Sequence, residues 1–285
     1  MPIRTPPAWG LEQISQTFQT RPGTDRDYWP HAGQATRATV RRIGVADLQF
    51  ALRRGFEDFG ALRTDVVFLC LFYPIVGLLL ARAAYGSDFL PLLFPLASGF
   101  ALVGPFAAVG LNEMSRRREL GAEAGWSSAF AVFRSPALGR ILMLGAGMVM
   151  LFLAWIVCAE SIYDLTLGPM QPMSLNQFAS DVLHTRAGWA LTLIGCGAGF
   201  LFAVVAFAVS VVSFPMLLDR DVSLDTAVGT SLRAVATNPS IMAGWGLIIV
   251  ATLVIASIPV LLGLIIALPV LGHATWHLYR RMVQF

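Results

Sequence analysis

His273 and His277 stand four residues apart inside the run Gly272-His273-Ala274-Thr275-Trp276-His277-Leu278-Tyr279-Arg280-Arg281. On a helix this spacing puts both imidazoles on one face, where they can offer two nitrogens to a metal or a haem iron. Two nitrogens leave a protein metal site incomplete. Further donors would have to come from Asn112 and Glu113, which follow one long apolar run, or from Asp219, Arg220 and Asp221, which follow another. The candidate polar cluster is therefore Asn112, Glu113, Asp219, Arg220, Asp221, His273, Trp276, His277, Tyr279 and Arg280. Trp, Tyr, His and Arg are also the types that anchor a helix end among lipid headgroups. Interfacial anchoring is the favoured reading, an interhelical ion-pair network the second, and metal or haem ligation by His273 and His277 the third. No cofactor is expected.

Several enzyme classes drop out by inspection. All twenty basic side chains are Arg, so a phosphate-binding GxxxxGK[ST] loop is impossible, and HExxH is missing. Gly195-Cys196-Gly197-Ala198-Gly199 lies inside an apolar run and follows no strand, so it is not a nucleotide-binding loop. No catalytic residue is assigned, and the expectation is a protein that is not an enzyme. Nucleic acid is not an expected partner, because the arginines track the ends of apolar runs and no binding module accompanies them.

The elements that must hold this cluster follow from composition. Of the 285 residues, 56% are hydrophobic and 13% charged, against about 25% charged in an ordinary soluble domain. One soluble core cannot hide that apolar excess, so lipid must cover it. A crossing helix needs about 20 mostly apolar residues. Spans are expected at about 66–84, 89–111, 137–159 and 188–218, and the run 241–278 is long enough for two more, 241–257 and 259–278, divided at Ser257 and Pro259. The fold class is all-α, a polytopic bundle of six transmembrane helices in three hairpins. Eighteen of the twenty arginines fall before the first span, between the even and odd spans, or at the C-terminus. Basic residues stay on the cytoplasmic side, so both termini are expected inside the bacterial cytoplasmic (inner) membrane. Residues 1–40, proline-rich with mixed charge and no apolar signal segment, read as a disordered or loosely attached tail before a single membrane domain at 41–285. Cys70, Cys158 and Cys196 lie in apolar runs and read as packed small hydrophobes.

Each hairpin is preceded by a segment too polar to cross. Val45, Leu48, Leu52, Phe56 and Phe59 recur at helical spacing, with Asp47, Arg53, Arg54, Glu57 and Asp58 on the other face; this is an amphipathic interfacial helix. Leu224, Val228, Leu232 and Val235 repeat the plan after a Ser223 cap and before Asn238-Pro239, and a shorter version runs from Trp126 through Phe130 and Phe133 to Ser135-Pro136. Pro105 stands eleven residues before Arg116, and Pro269 eleven before Arg280. Together with Pro215, these prolines are expected to kink the even spans and shape a vestibule on the cytoplasmic side.

The stretches ADLQFALRRGFEDF, FPLASGFALVGPFAAVGLNEMSRR, SVVSFPMLLDRDV with SLRAV, and LPVLGHATWHLYRR together resemble a bacterial family of integral membrane proteins, domain-of-unknown-function family 2189, over roughly residues 41–283. The resemblance implies a multi-pass protein and no particular activity. Some members carry a cytochrome c oxidase label. A haem–copper core takes more histidine ligands than the four in this chain, so that label implies at most a metal- or haem-binding accessory or assembly role in a respiratory complex. The residues themselves favour a non-enzymatic accessory, scaffold or lipid-interacting component. Its partners would be membrane lipids and either another membrane protein or further copies of itself. A small-solute or lipid transporter is the alternative.

Overall fold

The computed structural model describes residues 38–70, 95–96, 102, 104–168, 175–259 and 261–285. The spans expected at 66–84 and 89–111 fall largely outside them. Helix α1 runs unbroken over Val45–Cys70, where the sequence suggested an interfacial helix set apart from a span. No proline lies between Phe59 and Val66, so the hydrogen-bond ladder continues through Gly60. Helix α2, Val109–Glu119, carries Arg116, Arg117 and Arg118 in its last turn, where cations meet the negative end of the helix dipole. It closes with Gly121 at φ 70°, whose N–H and that of Ala122 return to the carbonyls of Arg118 and Arg117. That is a Schellman ending, which needs a left-handed residue. Helix α3, Trp126–Ala129, passes into a 3-10 turn at Phe130–Arg134.

The longer helices follow: α4 at Leu138–Thr166, α5 at Leu175–His184, α6 at Arg186–Ser210, α7 at Ser213–Asp219, α8 at Leu224–Thr237, α9 at Pro239–Ser257 and α10 at Leu264–Met282. The run 241–278 thus divides at Ser257, as its composition suggested. Helix α4 reaches Thr166, about two turns beyond the expected end, because residues 160–166 offer no breaker. The expected span at 188–218 is two helices separated at Val211 and Val212, with Pro215 in the first turn of α7, where its missing N–H costs nothing.

Among the described residues three helical stretches are long and apolar enough to cross a membrane: Leu138–Thr166, Arg186–Asp219 and Pro239–Ser257. Their outer faces are exposed and apolar, with Met143, Met150 and Val157 forming a seven-residue stripe on α4 and Leu247 and Val254 on α9. Cys196 shares such an outer face on α6 and is exposed rather than packed. Helix α10 differs: Pro269 lies inside it, Ile266 before the proline is exposed, and Val270, Leu271, His273 and Ala274 after it are buried.

The core gathers at the arginine-rich end. Helices α2, α7 and α10 pack on one another there, and each carries one amphipathic segment: α3 on α2, α8 on α7 and α1 on α10. A two-stranded antiparallel pairing of β1, Thr39–Val40, with β2, Val283–Gln284, joins the two ends of the described chain. Residues 38–40, assigned to the tail from sequence, therefore belong to the fold. Where kinked helices were expected to leave a vestibule, residues 216–218 after Pro215, residues 270–274 after Pro269 and, two turns beyond Pro105, residues 111–116 are buried, with Met114, Met216, Leu217, Leu278 and Tyr279 among the most enclosed.

On the amphipathic helices the face packed into the bundle lies about a quarter turn from the most apolar stripe. On α1 the buried face is Leu48, Ala51, Gly55, Asp58 and Leu62, while Val45 and Phe56 are exposed; on α8 it is Ala227, Thr230, Ser231 and Ala234, while Leu232 is exposed. Small residues let backbones come close, which a stripe of Leu and Phe prevents. Close approach recurs across the bundle: a Cβ on Gly145 would meet the Phe106 ring at 2.7 Å and one on Gly272 the Leu111 side chain at 2.6 Å.

Candidate functional site

Asp58 is the hub of the polar cluster, although the sequence placed it on a solvated face. Helix α1 lies along α10 and brings Asp58, 4% exposed, between α2 and α10. Its Oδ1 accepts from Arg118 Nη1 at 2.7 Å, and its Oδ2 accepts from Ser115 Oγ at 2.6 Å and His277 Nε2 at 2.8 Å. An ionised carboxylate only accepts, so Ser115 gives its one proton to Asp58. His273 Nδ1, 2.8 Å from the same Ser115 oxygen, must then be the donor. The neutral His273 ring is left with a lone pair on Nε2, which is buried without a partner, as is Asn112 Oδ1. The two histidines do share a face, but what joins them is Asp58 and Ser115. No group of three or more His, Cys, Asp or Glu placed to hold a metal occurs among the described residues.

A second knot ties α7 to α10. Asp219 Oδ2 accepts from Tyr279 OH at 2.9 Å and Arg280 Nη1 at 3.2 Å, and lies 3.3 Å from Arg220 Nε. Burial first, then the Asp219 charge, pushes the Tyr279 hydroxyl well above its ordinary range, so it stays protonated and donates. Arg280 Nε also reaches Glu119 at 3.1 Å, and Trp276 Nε1 donates to the other Glu119 oxygen at 2.9 Å. Glu113, fully buried, is held within α2 by Arg116 at 2.7 Å and Arg117 at 2.6 Å. Asp221 stands apart from the cluster and pairs with Arg140 at the start of α4, at 2.7 Å. Arg220 covers the Phe285 ring at 4.3 Å, a cation–π contact.

Two ties were missed from sequence. Asp47 accepts from Arg281 Nε at 2.7 Å. Asn238 uses its whole amide, accepting from Ile43 N at 2.9 Å and donating to the carbonyls of Arg41 and Ala234, each at 3.1 Å. The signal for the first lay in the stripe Asp47, Ala51, Gly55, Asp58, whose small members suit a helix contact. Of the candidate residues, the structure brings Asp219, Arg220, His273, Trp276, His277, Tyr279 and Arg280 to one end of the bundle, with Asn112 and Glu113 buried alongside on α2.

The hub has an acid limit. Burial works against the Asp58 charge, but the hydrogen bonds from His277 and Ser115, and after them the charge of the His277 imidazole, outweigh it and hold the carboxyl below its ordinary 3.8. A carboxyl depressed on folding contributes stability that is whole above the unfolded value and is lost as pH falls through the folded one. The thermal midpoint of the purified protein is therefore expected to drop below about pH 4, and Asp58→Asn to flatten that part of the profile. An unchanged slope in Asp58→Asn would assign the acid sensitivity to other carboxylates.

Long helices with exposed apolar faces, joined at one end by a core of paired charges, define an integral membrane protein. Residues 93–219 match the family described as "Predicted integral membrane protein (DUF2189)". That region contains the block at 94–117 and most of the one at 210–222, whereas the resembling blocks at 46–59 and 268–281 lie outside it. No curated protein and no solved structure matches the chain.

Proposed function

We propose that the protein is a non-catalytic scaffold of the bacterial cytoplasmic membrane, built as three transmembrane hairpins with both termini inside, that binds the anionic headgroup layer through its amphipathic segments. The observation that carries this reading is the outward pairing of apolar and basic side chains. Phe56 on α1, Phe130 and Phe133 in the 3-10 turn, and Leu232 on α8 are exposed, and Arg53, Arg54, Arg134 and Arg233 stand within three residues of them in sequence. An apolar face flanked by arginines is the chemistry of an interfacial helix on an anionic leaflet. The absence of an enzymatic role is supported by the acids of the cluster, whose partners are arginines, His277, Ser115, Tyr279 and Trp276; an acid or base at work needs access to a substrate proton. A transporter with a pathway between kinked helices is the weaker reading, because the residues after Pro215 and Pro269 are packed into the core where such a pathway would run.

Each arginine near an anionic surface contributes about 1 kcal/mol. Changing Arg53, Arg54, Arg134 and Arg233 together to Gln is therefore expected to lower co-purification of phosphatidylglycerol relative to phosphatidylethanolamine by at least tenfold, about 1.4 kcal/mol. Lipid quantified by mass spectrometry after mild solubilisation is the readout. An unchanged ratio in a variant with wild-type melting would remove the headgroup role.

A further inference from the structure

The three amphipathic segments differ in length, and the difference leaves a gap. Helix α8 covers the end of α7 with 14 residues, and the amphipathic part of α1, with its buried face from Leu48 to Leu62, covers the end of α10. The middle segment offers α2 only four residues of α-helix and five of 3-10 turn. Beside it a groove of about 260 Å³ opens between α2, the 3-10 turn and the start of α4, lined by Phe106, Val109, Ala129, Phe133, Ile141 and Leu142 among others. No side chain lining it is polar. Water needs two to four polar partners and is a poor occupant of such a space, whereas an apolar cavity of about 150 Å³ already suffices for a benzene ring.

The groove is continuous with a lipid-facing surface. Leu142 and Phe133 line it and are exposed. Leu142 belongs to the same outer surface of α4 as Met143 and Met150, in the first turns of a helix long and apolar enough to cross the membrane. We propose that this groove holds one acyl chain of a phospholipid from the adjoining leaflet, retained as part of the folded protein. The chain fills the space that a longer middle helix would otherwise occupy. Packing drives its retention, since lipid tails gain nothing by the hydrophobic effect on leaving other tails. The inference rests on the protein's being embedded in lipid and does not need the headgroup preference of the arginines.

The test uses full-length protein with Phe133→p-benzoylphenylalanine or, as a control on the outer face of α9, Leu247→p-benzoylphenylalanine. Both are reconstituted in phosphatidylcholine alone, so that loss of the anionic preference leaves the result untouched. After bulk lipid is exchanged for detergent and the sample is irradiated, intact mass is expected to show one phospholipid added at position 133 and none at position 247. Ala129→Phe, which fills the groove, is expected to reduce the adduct at 133 at least fivefold, with melting measured to confirm folding. The comparison of 133 with 247 stands even if that variant does not fold. Loss of the adduct at both positions on exchange would mean ordinary boundary lipid. Attachment of residue 133 to a second copy or to residues 1–37 would give the groove a protein occupant, and either result overturns the proposal.

Discussion

Asp58→Ala is expected to destabilise the protein by about 3–5 kcal/mol, the cost of removing one partner from a buried charged pair. The carboxylate is the shared acceptor of Arg118, Ser115 and His277. Its loss strands Ser115 and His277 where water cannot reach them easily, while the exposed Arg118 turns to solvent, and it leaves His273 bonded to a serine that has lost its own acceptor. The control is the pair Arg53–Glu57, 2.9 Å long with the arginine side chain 81% exposed, where Arg53→Gln should cost no more than about 0.5 kcal/mol. Unfolding by heat or denaturant in one fixed detergent measures both. A cycle with His277→Ala should show a coupling of about 1–3 kcal/mol. If Asp58→Ala cost no more than Arg53→Gln, the cluster would be ornament on a fold held by other contacts.

Gly55→Leu is expected to separate α1 from α10, at a cost of about 3 kcal/mol or more. A Cβ at position 55 would stand 2.7 Å from the Val270 carbonyl oxygen, 2.8 Å from the Ala274 Cβ and 2.9 Å from the Ala274 nitrogen. Two of these are backbone atoms of a helix and cannot turn aside, so the two helices must move apart. Separation would also stretch the Asp47–Arg281 and Asp58–His277 contacts, which tie the same two helices. Gly60 on the same helix has nothing within 4 Å of its Cβ position. Gly60→Ala should therefore stabilise by about 0.5–1 kcal/mol through helix propensity alone. Melting temperature and the rate of limited proteolysis would separate the two. Gly55→Leu behaving like Gly60→Ala would mean that the contact of α1 with α10 is not part of the stable fold.

Much of the site could be read without coordinates, for a simple reason. Asp219, His273, Trp276, His277, Tyr279 and Arg280 all lie near the basic ends of long helices, and helices of a bundle that end at one level bring their ends together. Asp221 fell outside because the chain turns after Arg220 and delivers it to Arg140. Asp58 was misplaced because periodicity ranks faces by hydrophobicity: Val45, Leu52 and Phe56 form the most apolar stripe of α1, yet Val45 and Phe56 are exposed and Leu52 is only partly buried. The face that packs is marked by size instead, through Ala51 and Gly55, and it carries its acids inward because Arg118, His277 and Arg281 wait there.

By composition and periodicity alone, the chain is determined as a helical membrane protein: 56% hydrophobic residues in long runs have no other solvent, and proline, glycine and arginine mark where those runs stop. Helix ends, the division at Ser257 and the polarity of one end are local properties, written in neighbouring residues. Only the tertiary structure decided which face of each amphipathic helix turns inward. It also showed that the segments after Pro215 and Pro269 close into a packed core, and that Asp58 and Ser115 link two histidines that spacing alone had offered to a metal. These are pairings between residues up to 234 positions apart. A carboxylate, an imidazole and a glycine carry no mark of their partners until the backbones meet.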